Sequence, residues 1–393
     1  MSCRNEPSDP NTGAGANTPC DSTKQTCPSN PSPPSTIKIL EGEIVELSWK
    51  SGAAAAYNKS QISAPNWKKG DNVDDGSGSK RAAVYLFDKK GGSKDVEIKV
   101  NITKSQNVSG NGKLLATFGG LEIEGSCPTS AGMHTVSAKI KKLPDEITWV
   151  KGNINWQLES ASYGSTISLS NSTRAEVFVI FGKPASFYTN GVWVEALRFL
   201  CDKVSLTGET DEASTATKIA RYLHGSHGLK YDTMSGAPTY GCSGSGGVFK
   251  LKKYIKASYK TVNCYDQAAA IQTFLGTVGI SSTWCYQGST KIFGFILSTN
   301  LIGVGACNNP FFSSNGSSKV VPSGDPYRTA FGNHAFIKFN GKILDACAGP
   351  HTGTETPTQY LNASVDYAET SARGHTAGVA GDITHQSGVT NVT

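Results

Sequence analysis

Between Ile37 and Tyr188 apolar and polar residues alternate in short runs, and that period of two commits the stretch to strands with one buried face. Ile37-Lys-Ile-Leu, Ile44-Val-Glu-Leu-Ser-Trp, Ala83-Val-Tyr-Leu-Phe, Val96-Glu-Ile-Lys-Val-Asn-Ile and Ala175-Glu-Val-Phe-Val-Ile-Phe are such runs. Between them lie Lys90-Gly-Gly-Ser and Gly110-Asn-Gly, whose glycines and asparagine tolerate the backbone angles of tight turns. Charged residues make up only 17% of the chain, which argues against a helical bundle or coiled coil. The expectation for residues 37–188 is an antiparallel β-sandwich, as one domain or two small ones. Nothing in it marks an active site, and a binding role and a structural one stand equal.

A length of 393 residues exceeds one comfortable core and implies two or three domains. Residues 1–36 are Pro, Ser, Thr, Asn and Gly with almost no apolar side chains, too few to offset the entropy of ordering, so a flexible leader is expected. Near Val192 the period changes to that of helices. Trp193, Ala196, Leu197 and Leu200 recur at helical spacing, and Ala213 to Leu223 follows the acidic start Glu209, Asp211 and Glu212. This second region is expected over 189–365, with a flexible tail over 366–393. No run approaches the roughly 18 apolar residues of a membrane span, and the polar start lacks the apolar segment of a Sec signal. Ten cysteines with no C-x-x-C pair fit neither a disulfide scaffold nor a zinc site, so no cofactor or metal is expected. The net charge is +6. Its densest run, Lys250, Lys252, Lys253, Lys256 and Lys260, lacks the aromatic interleaving of a nucleic-acid surface and reads as a solvated face.

The stretch Thr261-Val-Asn-Cys-Tyr-Asp-Gln-Ala-Ala-Ala-Ile carries the chemistry. Cys264, Ala268, Ile271, Leu275 and Val278 fall on one helical stripe, with Asn263 as N-cap, which puts Cys264 at the first helical position. There the free N–H groups and the positive dipole end favour a thiolate, the form that attacks an amide carbonyl. The same N–H groups are placed to hold the resulting oxyanion. Asp266 opposes this unless its carboxylate turns into the cap, which its position allows. The alternative for Cys264 is a buried thiol packing as a small apolar residue.

Gly332-Asn-His-Ala-Phe-Ile-Lys-Phe-Asn-Gly-Lys-Ile-Leu-Asp-Ala-Cys supplies a second piece. Asn340-Gly341 between alternating residues is a strong hairpin signal. A two-residue turn sets Phe339 opposite Lys342, Lys338 opposite Ile343, Phe336 opposite Asp345 and His334 opposite Cys347. His334 and Asp345 then share a face as diagonal neighbours, roughly 7–8 Å apart at the backbone, a gap their side chains bridge. That is what an imidazole needs from the carboxylate that orients it.

At Cys264-Tyr-Asp-Gln-Ala, His334-Ala-Phe-Ile-Lys-Phe and Leu344-Asp345-Ala the sequence resembles the transglutaminase-like superfamily, with the helix before Tyr231 where that family places its leading helix. The resemblance covers about residues 190–350. It implies an α+β chain in which the antiparallel β-sandwich region precedes a papain-like, transglutaminase-like domain over 189–365. The implied roles are Cys264 as nucleophile, His334 as general base and Asp345 as orienter. The sequence departs from the family at Val262, where Gly is common, and at Ser258, where a papain relative has Gln. A long insert holding Cys285 and Cys307 separates Cys264 from His334.

The chemistry implied is acyl transfer through a thioester. Hydrolysis of a peptide or isopeptide bond is the favoured form, with crosslinking, glutamine deamidation and an inactive binding module as alternatives. The layout is similar to that of exported bacterial effectors and toxins. The expected partners are accordingly a protein or peptide substrate, with a secretion apparatus or immunity protein as further candidates. The expected locations are export by a non-Sec route or the cytoplasm.

Overall fold

The computed structural model describes residues 36–50, 52–71, 81–87, 93–293, 295–308, 331–366 and 382–393. Of the expected leader, residues 1–35 lie outside the described residues, as do 367–381 of the expected tail.

The alternating runs of the first half become β1 (Ile39–Trp49), β2 (Trp67–Lys68), β3 (Ala82–Leu86), β4 (Lys94–Gln106), β5 (Asn111–Phe118), β6 (Leu121–Pro128), β7 (Gly132–Ile140), β8 (Thr148–Ile154), β9 (Gln157–Ser160), β10 (Ser165–Ser168) and β11 (Thr173–Ile180). Eight of them form one antiparallel sheet in the order β10-β9-β5-β6-β7-β4-β1-β2. Within β4 every second residue from Val96 to Ile102 (Val96, Ile98, Val100, Ile102) is buried, as the period of two requires.

The remaining three make a smaller sheet, β8-β11-β3, which contains one parallel pair, β11 with β3. This sheet is buried on both faces. Ala83, Tyr85, Ala175, Val177 and Val179 join the core of the eight-stranded sheet, while Ala82, Val84, Phe178 and Ile180 face a second core. A strand covered on both sides needs a near-continuous apolar run, which is why Ala175–Ile180 hardly alternates. Its one charge, the buried Glu176, accepts from Trp149 Nε1 at 2.8 Å and from Arg198 Nε at 2.8 Å. The second core continues through Val192, Leu197, Leu200 and Phe274, so one apolar cluster crosses position 188, and Lys38–Thr393 forms a single compact unit.

The second half opens with the two expected helices, α1 (Val194–Asp202) and α2 (Glu212–Gly225), the latter capped by Asp211 accepting from Ser214 N. Then follow β12 (Gly246–Phe249), α3 (Leu251–Ile255) and α4 (Cys264–Thr277). Helix α4 is buried around most of its girth, and its small residues let neighbours approach closely. A Cβ on Gly276 would lie 2.7 Å from the Cβ of Ala185. Against α4 packs a five-stranded antiparallel sheet of β13 (Thr283–Phe293), β14 (Phe331–Phe339), β15 (Lys342–Asp345), β16 (His351–Thr352) and, beyond α5 (Pro357–Ser364), β17 (Ile383–Gln386). Its order is β16-β15-β14-β13-β17. The β14–β15 hairpin has the expected register, Phe339 with Lys342 and Lys338 with Ile343. Asn340 and Gly341 take the φ values of 48° and 74° that such a turn demands.

Within the expected flexible tail of 366–393, the described residues 382–393 form strands instead. Besides β17 on the sheet edge, β18 (Gly388–Val392) pairs in parallel with β12 and buries Val389 and Val392. The apolar Ile383, Val389 and Val392 are few among Gly, Thr and Ser, so the segment reads as loose until two distant strand edges are there to pair with it. Among the described residues no helix is long and apolar enough to cross a membrane.

Candidate active site

Cys264 is the first residue of α4, and its N-cap Asn263 accepts from Asp266 N at 3.1 Å. Asp266 turns away from the thiol, as its position allows, and completes a capping box. Its Oδ2 accepts from Asn263 N at 3.2 Å and Thr239 N at 2.8 Å, and its Oδ1 from Tyr240 N at 2.8 Å. Burial pushes this carboxyl up to about 6 against those three donors. The first intrahelical bond runs from Gln267 N to Asn263 O, so the N–H groups of Cys264 and Tyr265 lie ahead of the ladder at the positive end of the helix.

The structure brings Cys264, His334 and Asp345 together, at 4%, 2% and 1% exposure. His334 Nε2 lies 2.7 Å from Asp345 Oδ2, and Cys264 lies close enough to help raise the imidazole's pKa. With Nε2 on the carboxylate, Nδ1 is the nitrogen left for the thiol. Burial alone would lower the His334 pKa. The charge and hydrogen bond of Asp345, reinforced by Cys264, override it and raise the value to about 10. Burial would likewise raise Asp345, but the His334 charge and hydrogen bond hold it well below the usual carboxylate range. The favoured state of the pair is thus an imidazolium held against a carboxylate.

Asp345 is satisfied on both oxygens. Oδ2 also accepts from the Tyr360 hydroxyl at 2.8 Å, and Oδ1 from Cys347 N at 2.7 Å and Ala348 N at 3.3 Å. Here the hairpin departs from the expected pairing. The ladder stops at Ile337–Leu344, so Cys347 does not oppose His334 and instead bends back to give its N–H to Asp345.

Three side chains at this site escaped the sequence reading as site residues. Tyr360 comes from α5 and carries no local motif. Tyr231 is buried within electrostatic reach of Cys264 and Cys347; burial first, then those thiols, raise its hydroxyl well above the ordinary value. Gln287 on β13 is paired across the ladder with His334 and is 2% exposed. A further bond, Tyr265 hydroxyl to Asn333 Oδ1 at 2.5 Å, ties the chain neighbour of Cys264 to that of His334.

Among the described residues no group of three or more His, Cys, Asp or Glu side chains is arranged to hold a metal ion. Among the described residues Cys127, Cys201, Cys242, Cys264, Cys285 and Cys347 are not joined in disulfides. A cavity of about 740 Å³ lined by Trp149, Arg174, Arg198, Tyr222 and His227, among others, includes none of the three clustered residues.

No family model matches the chain, and no curated protein matches it. Among solved structures it is similar to the crystal structure of red sea bream transglutaminase, with a TM-score of 0.42 and 10% identity over 77% of this chain. The match spans 59% of that protein's length. A likeness at that level transfers no activity. What the secondary structure and sheets establish is the α+β class.

Proposed function

We propose that the chain is a cysteine-dependent acyl-transfer enzyme that hydrolyses a peptide or isopeptide bond. The observation that carries this reading is the line of contacts from Cys264 through His334 to Asp345, with the imidazole raised to about 10 between them. A structural buried thiol has no need of a helix N-terminus, an imidazole and an ionised carboxylate in series.

In this reading His334 holds the thiol proton and Cys264 Sγ attacks the substrate carbonyl carbon. The C–S bond forms as the carbonyl electron pair moves to oxygen, near the free N–H groups at the start of α4. Collapse breaks the C–N bond, and the leaving amine takes the proton from His334. Water then attacks the thioester, giving one proton to His334. The C–S bond breaks, the acid product departs, and the proton stays on His334, restoring the starting pair. Asp345 keeps the imidazole oriented throughout, and its four donors keep it ionised.

The test is a comparison of wild type with Cys264→Ala on a cell extract, read by mass spectrometry. New peptide termini that need Cys264 are expected. Crosslinks or Gln-to-Glu changes would move the acceptor from water to an amine, or the substrate from a peptide bond to a side-chain amide. Identical peptide maps from two folded proteins would overturn the reading.

A further inference from the structure

Gln287 Nε2 is buried and has no hydrogen-bond partner, one of few such atoms among the described residues. A buried amide left in that state is costly, so it calls for a reason. Its place in the sheet supplies one. Gln287 lies directly opposite His334 in the antiparallel ladder of β13 and β14, and paired residues point to the same face with Cβ atoms about 4.5–5.5 Å apart. One step inward on that face the next pair, Cys285 and Phe336, packs with Tyr360, the residue that bonds Asp345. The imidazole is therefore flanked by a carboxylate from β15 on one side and an unpaired amide from β13 on the other.

We propose that Gln287 Nε2 donates a hydrogen bond to the substrate carbonyl oxygen under attack by Cys264, completing an oxyanion site with the N–H groups at the start of α4. An NH2 group has donors and no lone pair, so its missing partner is an acceptor. The acceptor that arrives beside His334 in acyl transfer is the oxygen that takes the carbonyl electron pair. This rests on the acyl-transfer reading above and names the side chain that Ser258 does not supply.

Two probes separate the proposal from that reading, each followed by mass spectrometry of the Cys264 peptide with Cys264→Ser as blank. p-Nitrophenyl acetate acylates the thiolate through a tetrahedral oxyanion; iodoacetamide alkylates it by displacement at carbon with no oxyanion. Gln287→Leu is expected to slow acylation about 10²–10³-fold, the usual effect of removing one oxyanion donor, and to leave alkylation unchanged. Its thermal midpoint should hold or rise, because an unpaired buried amide has been replaced by an apolar group. Gln287→Glu, which swaps the donor for an acceptor, should slow acylation at least as much. Unchanged acylation overturns the proposal. So does a joint fall of acylation and alkylation, or a lowered midpoint, since either makes Gln287 a structural support. Slowed acylation in Tyr231→Phe with Gln287→Leu unaffected would assign the oxygen to the phenol instead. A wild type that neither probe modifies at Cys264 would sink the acyl-transfer reading itself, and the proposal with it.

Discussion

The Tyr360 hydroxyl lies 2.8 Å from Asp345 Oδ2, the oxygen that also meets His334 Nε2 at 2.7 Å. One atom thus receives a donor from the sheet and another from α5, the helix beyond it. The Tyr360 ring is wedged between Phe336 and His351, with centroids 4.7 and 4.6 Å away. Tyr360→Phe keeps that packing and deletes one bond to an ionised acceptor. It should lower stability by about 1.5–3 kcal/mol in urea unfolding and slow acylation of Cys264. An unchanged acylation rate would show that the remaining donors alone fix the carboxylate.

Removing either member of the His334–Asp345 pair leaves a buried ionic group without its counterpart. His334→Ala and Asp345→Ala should each cost about 3–5 kcal/mol, and the double variant much less than their sum. A double-mutant cycle in urea checks this. Additive losses would mean that the two groups are not coupled.

The two shifts set opposite limits on pH. His334 is raised from 6.5 to about 10, so its contribution to stability is full below 6.5 and lost as pH rises toward 10. Asp345 is lowered from 3.8, so its contribution is present above 3.8 and lost as pH falls further. The pair should stabilise the fold most between those ordinary values, and Cys264 should react with iodoacetamide at pH 5.5, where an ordinary thiol is inert. In His334→Asn both the stability plateau and the acid reactivity should vanish; a reactive thiol in that variant would assign thiolate formation to the helix alone.

Asp266 runs the other way. Burial raises it from 3.8 to about 6, so its contribution is full below 3.8 and lost as pH rises through 6. Asp266→Asn removes this titration but turns an amide NH2 toward backbone donors. A net loss of about 1–3 kcal/mol at pH 5 is expected, with a smaller loss at pH 8. A thermal midpoint measured across pH for both proteins tests the sign, and a loss that grows with pH contradicts it.

What could be read from the sequence was local. Asn263 as cap, Cys264 at the helix start and the register around Asn340-Gly341 follow from neighbours within a few residues, where spacing and turn chemistry act. The bend after Asp345 was hidden because Cys347 is drawn to the carboxylate rather than to a partner strand. Tyr360 and Gln287 depend on which strands and helices become neighbours, which no short pattern encodes. Ala175–Ile180 was grouped with the one-faced runs, and its nearly continuous apolar stretch, broken only by Glu176, makes sense once the second core behind it is known.

The parallel pairing of β18 with β12 bears on the order in which the protein forms. Gly246 and Gly388 meet so closely that a Cβ on Gly246 would lie 1.9 Å from the Gly388 carbonyl oxygen, and Val389 N reaches the α4 residue Gln272 at 2.8 Å. Contacts so distant along the chain are slow to close. During synthesis the helix that carries Cys264 waits, one side unsupported, until residues 388–392 emerge. The packing around α4 is therefore completed only once β18 has been made, more than a hundred residues after the helix itself.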